Sequence, residues 1–546
     1  MKPGLVCAVD VGTRSARAGI FTAAGDLLGR AEHPISVFLG PAGEGEHDSE
    51  EIWAAVSAAV RAALRLAGAS PGDVAGISFD ATCSLVALDR TGAPLSVSAS
   101  GLANRDTIAW FDHRAGAEAA QCTATGHRVL DHVGGVMSPE MATPKLAWLK
   151  RHMPRTWERL GYVFDLTDYL TFRASASPAR SQGTLAAKWT YLAHEPAGWC
   201  HDYLAAVGLA DLIEKAGLPA RATVVGNDLG PLTPRAARDL GLTRACRVGT
   251  GMIDAHAGTL GLLGGHVDDP GIAHQFALVA GTSSCIAFLS PVPRGGPGVW
   301  GPYLGAALPG HWLGEAGQSA TGALLDHVIR LHSAGGEPDR MMHRRIGTRI
   351  DELRAREGAA FARRLHVLPD FHGNRFPHAD PDALGVVSGL TMDASFDDLC
   401  RLYYRTAVAI ALGVRQILDV LEARGVRADR LHLAGGHARS PLLRELYADA
   451  TGRPLVIAEG DGVLAGTAMA AATAAGLHPD LARAATAMAR PGRERRPDPV
   501  AARQLDRDYA VFLRMQDHRR EIDARLRAAE AEDDSEAASA KAASRA

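Results

Sequence analysis

The stretch CAVDVGTRSARAGIF (Cys7 to Phe21) returns in outline as FALVAGTSSCIAFLS (276–290). Each enters on an apolar, strand-like run, turns at Gly-Thr and leaves on a second such run. Val9-Asp10-Val11-Gly12-Thr13-Arg14-Ser15 aligns with Leu278-Val279-Ala280-Gly281-Thr282-Ser283-Ser284. Taken singly, either stretch reads as an ordinary hairpin. Taken as a repeat, the pair predicts a duplicated α/β domain whose Gly-Thr turns face each other across a cleft.

The rest of the chain agrees with such a frame. At 546 residues it is too long for one ordinary core. After the first hairpin, LLGRAEHPIS can form a third strand. Residues 50–67 carry Ile52, Val56, Val60 and Leu64 at helical spacing, with Asp48 or Ser49 as cap. VAGISFD (74–80) reads as a buried strand ending in Asp80. An antiparallel start followed by α/β crossovers predicts a mixed sheet with helices on its faces. GGHVDDPGIA (264–273) reads as a boundary. The expected organisation is a first domain over 1–265, a second over 266–500, a helix over 501–526 and a tail over 527–546. The tail is polar and of low complexity, so disorder or a frayed helix is expected there.

Charge and cysteine usage exclude several classes. A formal charge of −3 predicts no general attraction to nucleic acid or to anionic membranes. The seven cysteines are scattered, with no CxxC pair, which fits a reducing compartment. The N-terminus reads straight into a strand, without a signal region. VLAGTAMAAATAAGL (463–477) comes nearest to a membrane span, but it is short and made of small residues. It reads as a buried, tightly packed helix. A cytoplasmic location is the expectation.

No P-loop, GxGxxG, HExxH or GxSxG is present. His194, Cys200 and His201 fit no common zinc spacing. The chemistry must therefore lie elsewhere. The Gly-Thr turns at 12–13 and 281–282 offer backbone N–H groups in nests that suit anions. Asp10 ends an apolar strand, where a carboxylate needs a hydrogen-bond or metal partner. Asp254 lies in GTGMIDAHAGTLGLL (249–263), whose Gly251, Gly258 and Gly261 allow close backbone approach; a helix cap is the plain alternative. AGGHARSPLLREL (434–446) follows a strand and suits a nucleotide on a helix N-terminus, or merely a tight turn. Glu315 stands among glycines ahead of a helix. Lys188, one of only six lysines, stands beside Trp189, where a snorkelling surface lysine is the bland alternative.

In this order and at these separations, the pieces resemble the FGGY family of carbohydrate kinases, within the larger group sharing the actin-like ATPase (ribonuclease H-like) fold. The resemblance covers roughly residues 5 to 520. Asp10-x-Gly12-Thr13 is similar to the family's first phosphate motif and Ala280-Gly281-Thr282-Ser283 to its second. Gly251-x-x-Asp254-x-x-x-Gly258 is similar to the segment with the catalytic Asp, and Gly435-Gly436 to the adenosine motif. His437 departs from the Gly or Ala of many relatives. FDATCSL (79–85), WFDHRA (110–115), SPEMATPKLAWLK (138–150) and PDFHGNRFPHADP (369–381) resemble the ribulokinase and ribitol-kinase-like branch.

The resemblance implies two actin-like domains with a cleft between them, and transfer of phosphate from ATP with Mg2+. It implies Asp254 as base, and Ala81, Thr82, Lys188, Asp254 and Glu315 against the substrate. Gly12, Thr13, Arg14, Gly281, Thr282, Gly435, Gly436 and His437 would contact ATP, with Asp10 near the metal through water. The implied substrate is a pentulose, D-ribulose first, with ribitol, L-ribulose and xylulose as alternatives. The partners are the sugar and ATP, and a homodimer is common in the family. An actin-like ATPase switch without a sugar site is the alternative from another class.

Overall fold

Every residue of the strand Leu5–Val11 (β1) is buried, which makes it a central strand covered on both faces. The computed structural model describes residues 4–40 and 43–543. β1 forms a hairpin with Ser15–Thr22 (β2), and β2 pairs with Leu27–Pro34 (β3), both antiparallel. On its other side β1 runs parallel to Val74–Ala81 (β4). Arg247–Ile253 (β6) adds parallel to β4, and the edge strand Asp228–Pro231 (β5) adds antiparallel to β6. The order is β5-β6-β4-β1-β2-β3.

The second sheet repeats this plan. Gln275–Ala280 (β7) and Ser284–Ser290 (β8) form the second hairpin. Trp300–Leu304 (β9) is an added edge strand on Trp312–Gln318 (β10), which pairs antiparallel with β8. Arg430–Ala434 (β11) and Leu455–Ile457 (β12) extend the sheet in parallel, and Arg493–Arg495 (β13) closes it antiparallel. β5-β6-β4-β1-β2-β3 thus corresponds strand for strand to β13-β12-β11-β7-β8-β10, with the same directions throughout. The repeat seen in two short hairpins extends to the whole sheet.

Helix Ser49–Ala67 (α1) covers one face of the first sheet. Asp48 is its cap and accepts hydrogen bonds from the N–H groups of Glu50 and Glu51, while Ser49 turns instead to Asp106. The other face is covered by a helix from the far half of the chain. Gly462–Ala474 (α7) packs on β1, β4 and β6, while Asp254–Leu263 (α3) packs on β7 and β11 of the second sheet. The two exchanged helices cross each other closely. A Cβ on Gly466 would sit 2.0 Å from the Ala257 carbonyl, and one on Gly261 would sit 1.9 Å from that of Gly462. The run 463–477 is therefore the tightly packed interior helix its small residues predict. One apolar core continues from Val6 and Ala8 through Leu260 and Ala468 to Ala277 and Leu289.

Glycine-rich segment 264–274 links the halves through two short 3-10 turns. In the second half, Gly322–Leu331 (α4) and Phe396–Ala423 (α5) pack together, and Pro441–Thr451 (α6) packs against α5. The last helix runs from Pro499 to Ala543 (α8). It continues through most of the stretch 527–546, the helical of the two outcomes, disorder or a frayed helix, that composition leaves open there. That stretch is rich in Ala and Glu, which favour helix, and composition alone does not weigh that propensity. Residues 544–546 lie outside the described residues. All seven cysteines are free, and no described helix is long and apolar enough to cross a membrane.

Candidate active site

The register of the parallel strands decides where the turns meet. Val11 and Ile253 both stand beside Ala81, on either side of β4. Gly12-Thr13, Thr82 and Asp254 therefore leave neighbouring strands at one edge of the sheet, where open α/β sheets bind ligands. The Thr82 N–H donates to the Val11 carbonyl at 3.0 Å. In the second half, Val279 stands beside Ala434, so Gly281-Thr282 and Gly435-Gly436 also emerge side by side. Gly435 has φ of 90°, and a Cβ there would lie 2.4 Å from the Ala280 carbonyl. Only glycine fits.

The second turn is braced from behind by the start of α4. The N–H groups of Gly322 and Ala323 donate to the carbonyls of Gly281 and Thr282 at 3.0 and 3.1 Å. A Cβ on Gly281 would meet nothing within 4 Å, so the outer side of the turn is open. His437 is turned inward. Its Nδ1 shares a hydrogen bond with the Tyr447 hydroxyl at 2.8 Å, and burial lowers its pKa to about 4. A 3-10 turn, Gly436–Arg439, separates the Gly-Gly pair from α6, where the sequence predicts the helix to open at once.

Asp10 has the partner its burial demands. Arg17, on β2 of the same hairpin, donates to Asp10 Oδ2 at 2.7 Å. The Arg17 guanidinium also lies beside Gly12, 3.6 Å from where a Cβ would stand. Asp10 and Asp80 are register partners on β1 and β4. Burial, and then the Asp10 charge, push Asp80 well above the usual carboxylate range. Thr467 of α7 donates to Asp80 Oδ2, while Asp80 Oδ1 is buried without a hydrogen-bond partner. Asp254 is the first residue of α3 and accepts from the Ala255 N–H at 2.7 Å. Burial, with the Asp10 charge behind it, raises its pKa to about 6.

Beside Asp254 lies a second group of charges. Lys188 ends the helix Gln182–Lys188 (α2) and is 6% exposed, with its ammonium 4.3 Å from the centre of the Trp300 ring. Arg375 stacks on the same indole at 3.7 Å and makes an ion pair with Glu315 of β10. His256 faces the other Glu315 oxygen at 3.4 Å. Burial alone would raise the Glu315 pKa; Arg375, His256 and Lys188 override it and hold the carboxylate below its ordinary range. Glu140 is similar. Burial opposes its charge, but the His113 hydrogen bond and the Arg375 and Lys188 charges bring its pKa down to about 2. Two cations and two carboxylates thus share one pocket, charged and mutually held.

Family models for the N-terminal and C-terminal domains of the FGGY family of carbohydrate kinases match residues 5–261 and 276–475. The chain belongs to the FGGY family. An FGGY carbohydrate kinase domain-containing protein of Danio rerio is 41% identical over 534 residues, 94% of this chain and 97% of its own length. A Saccharomyces cerevisiae protein named D-ribulokinase is 35% identical over 495 residues, 82% of this chain and 68% of its own length. Among solved structures, xylulose kinase from Rhodospirillum rubrum superposes with a TM-score of 0.73 at 24% identity, covering 95% of this chain and 99% of its own. Likeness at that identity speaks for the fold alone.

In this FGGY kinase the residues singled out in the sequence fall into three places. Gly12, Thr13, Ala81, Thr82 and Asp254 share one strand edge with Asp10, and Gly281, Thr282, Gly435 and Gly436 share the other. Lys188 and Glu315 meet in the charged pocket. Two residues stand apart: the Arg14 side chain is exposed, and the His437 ring supports the second turn from within. Sequence reading missed Arg17, Asp80 as the neighbour of Asp10, Glu140, Arg375 and Trp300. Arg17 and Asp80 had a legible signal, since Arg17 lies within the quoted stretch 7–21 and Asp80 ends the strand 74–80. Arg375 and Glu140 lie in segments quoted only for their resemblance, and nothing local marks them as pocket residues.

Proposed function

We propose that this FGGY kinase transfers the γ-phosphoryl group of ATP to the terminal hydroxyl of a pentulose, D-ribulose foremost. The observation that carries this reading is Asp254, held at the strand edge beside Asp10 of the first hairpin and Lys188 and His256 of the charged pocket, with its pKa raised to about 6. A carboxylate so tuned is largely ionised near neutral pH and is still a useful base. The likeness to the yeast D-ribulokinase supports the choice of sugar.

In this reading the Gly12-Thr13 and Gly281-Thr282 turns hold the phosphates through backbone N–H groups, and Gly435-Gly436 lets the nucleotide approach the backbone of the second half. Lys188 and Glu315 select the sugar through hydrogen bonds to its hydroxyls, since an unpaired buried charge would penalise a substrate lacking them. Asp254 accepts the proton of the attacking hydroxyl, which is then aligned with the γ-phosphorus. Phosphoryl transfer asks chiefly for such positioning and for charge neutralisation. Magnesium, when bound, supplies neutralisation at the phosphates. Its usual demand, one or two carboxylates plus waters and phosphate oxygens, would be met by Asp10 acting through water, while Asp80 behind it is driven toward its neutral form by burial and the Asp10 charge.

A coupled ADP-release assay over D-ribulose, L-ribulose, D-xylulose and ribitol tests the reading. D-ribulose is expected to give the highest kcat/KM. A higher value for another of the four replaces the sugar, and sugar-independent ATP turnover overturns the kinase reading itself.

A further inference from the structure

Thr13 does not stand free at the tip of the first turn. The Trp110 indole N–H donates to its hydroxyl oxygen at 3.0 Å, across 97 residues of chain. Trp110 is fixed in turn. Its backbone N–H donates to Ser84 Oγ at 3.2 Å, and its carbonyl accepts from the Lys145 ammonium at 2.7 Å. Lys145 also holds the Ala109 carbonyl at 2.8 Å and is 1% exposed. Two residues on, the buried Asp112 accepts from the Gly45 N–H at 2.8 Å and pairs with Arg114. His113, between these anchors, faces Glu140 of the charged pocket at 3.6 Å. One braced loop therefore touches both the first Gly-Thr turn and the pocket beside Asp254.

The chemistry of a hydroxyl gives this contact a meaning. A threonine hydroxyl can donate once and accept twice. Indole nitrogen only donates, so Trp110 must use the oxygen as acceptor. That leaves the Thr13 proton for another acceptor and holds the oxygen in place. We propose that Trp110 is a positioning residue that presents Thr13 as a hydrogen-bond donor to a phosphate oxygen of ATP, with Lys145 as the brace that keeps Trp110 in place. The proposal rests on the reading of the Gly12-Thr13 turn as a phosphate seat. It differs from that reading in assigning the orientation to a residue that touches no phosphate.

A double-mutant cycle on Thr13 and Trp110 tests it, with ATP varied at saturating D-ribulose and D-ribulose varied at saturating ATP. Trp110→Phe keeps the ring and removes the donor. It is expected to lower kcat/KM for ATP about tenfold, the cost of one good hydrogen bond, and to change the D-ribulose KM less than about twofold. Thr13→Ala is expected to lower kcat/KM for ATP at least as much. In the Thr13→Ala background, Trp110→Phe is expected to do nothing further, and in a Thr13→Ser background its effect is expected to return. Independent, multiplying effects of the two substitutions overturn the proposal, as does a Trp110→Phe variant that changes only the D-ribulose KM. A Thr13→Ala enzyme with wild-type ATP kinetics overturns the phosphate seat itself, and the proposal with it. Melting curves of each variant separate a loss of fold from a loss of positioning.

Discussion

Asp254 shows what burying a single carboxyl costs the fold. In the unfolded chain it titrates near 3.8, and in the folded chain near 6. Between these values the folded state binds the extra proton, so acidification from pH 6 toward 4 stabilises this site. Above pH 6 the ionised group is a cost that the fold carries. Asp254→Asn is therefore expected to raise the melting temperature at pH 7, and differential scanning calorimetry would show a lower one if the site were not strained. The same pKa predicts that kcat/KM for the sugar rises with pH through about 6, measured at saturating MgATP. Arg375 makes a second prediction at this scale. It holds Glu315 and lies against Trp300, the ring that also faces Lys188. Arg375→Met is expected to raise the sugar KM at least tenfold, with the ATP KM little changed, because it leaves Glu315 buried and short of a cation. Equal changes in both constants would place Arg375 outside the pocket's function.

The exchanged helices α3 and α7 carry the argument at the scale of elements. Asp254 of the site is the first residue of α3, and Asp461, whose charge acts on Asp10, caps α7. Asp461 also accepts from Arg30 at 3.1 Å, and Thr467, six residues further on, donates to Asp80. The glycines at the crossing set the distance between the two helices. Gly466→Ala is expected to destabilise by at least about 1–3 kcal/mol, the cost of overpacking a filled core, because the obstructing atom is a backbone carbonyl; urea titration would measure it. An unchanged midpoint would mean that the helices can separate freely. The two hairpins, the mixed α/β sheet and helices α1 and α7 were legible because each follows from local pattern: apolar runs broken at Gly-Thr, helical spacing behind a cap at Asp48 or Ser49, small residues at 463–477; the strand order was not, since pairing between distant strands is set by tertiary folding. The span beyond 526 stays open in sequence between disorder and a frayed helix, since low complexity does not weigh helix propensity. The charged pocket was half legible. Lys188 and Glu315 sit in recognisable motifs, whereas Arg375 and Glu140 are brought to them only by tertiary folding, from segments far apart in sequence.

At the scale of the whole molecule, exchange of helices makes each half depend on the other. The face of the first sheet that carries β1, β4 and β6 is buried by α7, which belongs to the second half. A fragment of residues 1–265 is therefore expected to aggregate or stay unfolded, while the full chain melts in one transition; a soluble fragment with a cooperative melt would contradict this. In the proposed reading Asp254 of the first half is the base, served by the Gly-Thr turns of both halves. The most direct measurement of that claim compares D-ribulose-dependent ADP release by the wild-type enzyme and Asp254→Asn, with nucleotide binding followed in parallel by calorimetry. The expected result is a loss of about 10²–10⁴-fold in turnover, the usual share of a general base, with nucleotide affinity and fold retained. Turnover near the wild-type rate in the folded variant would contradict the account.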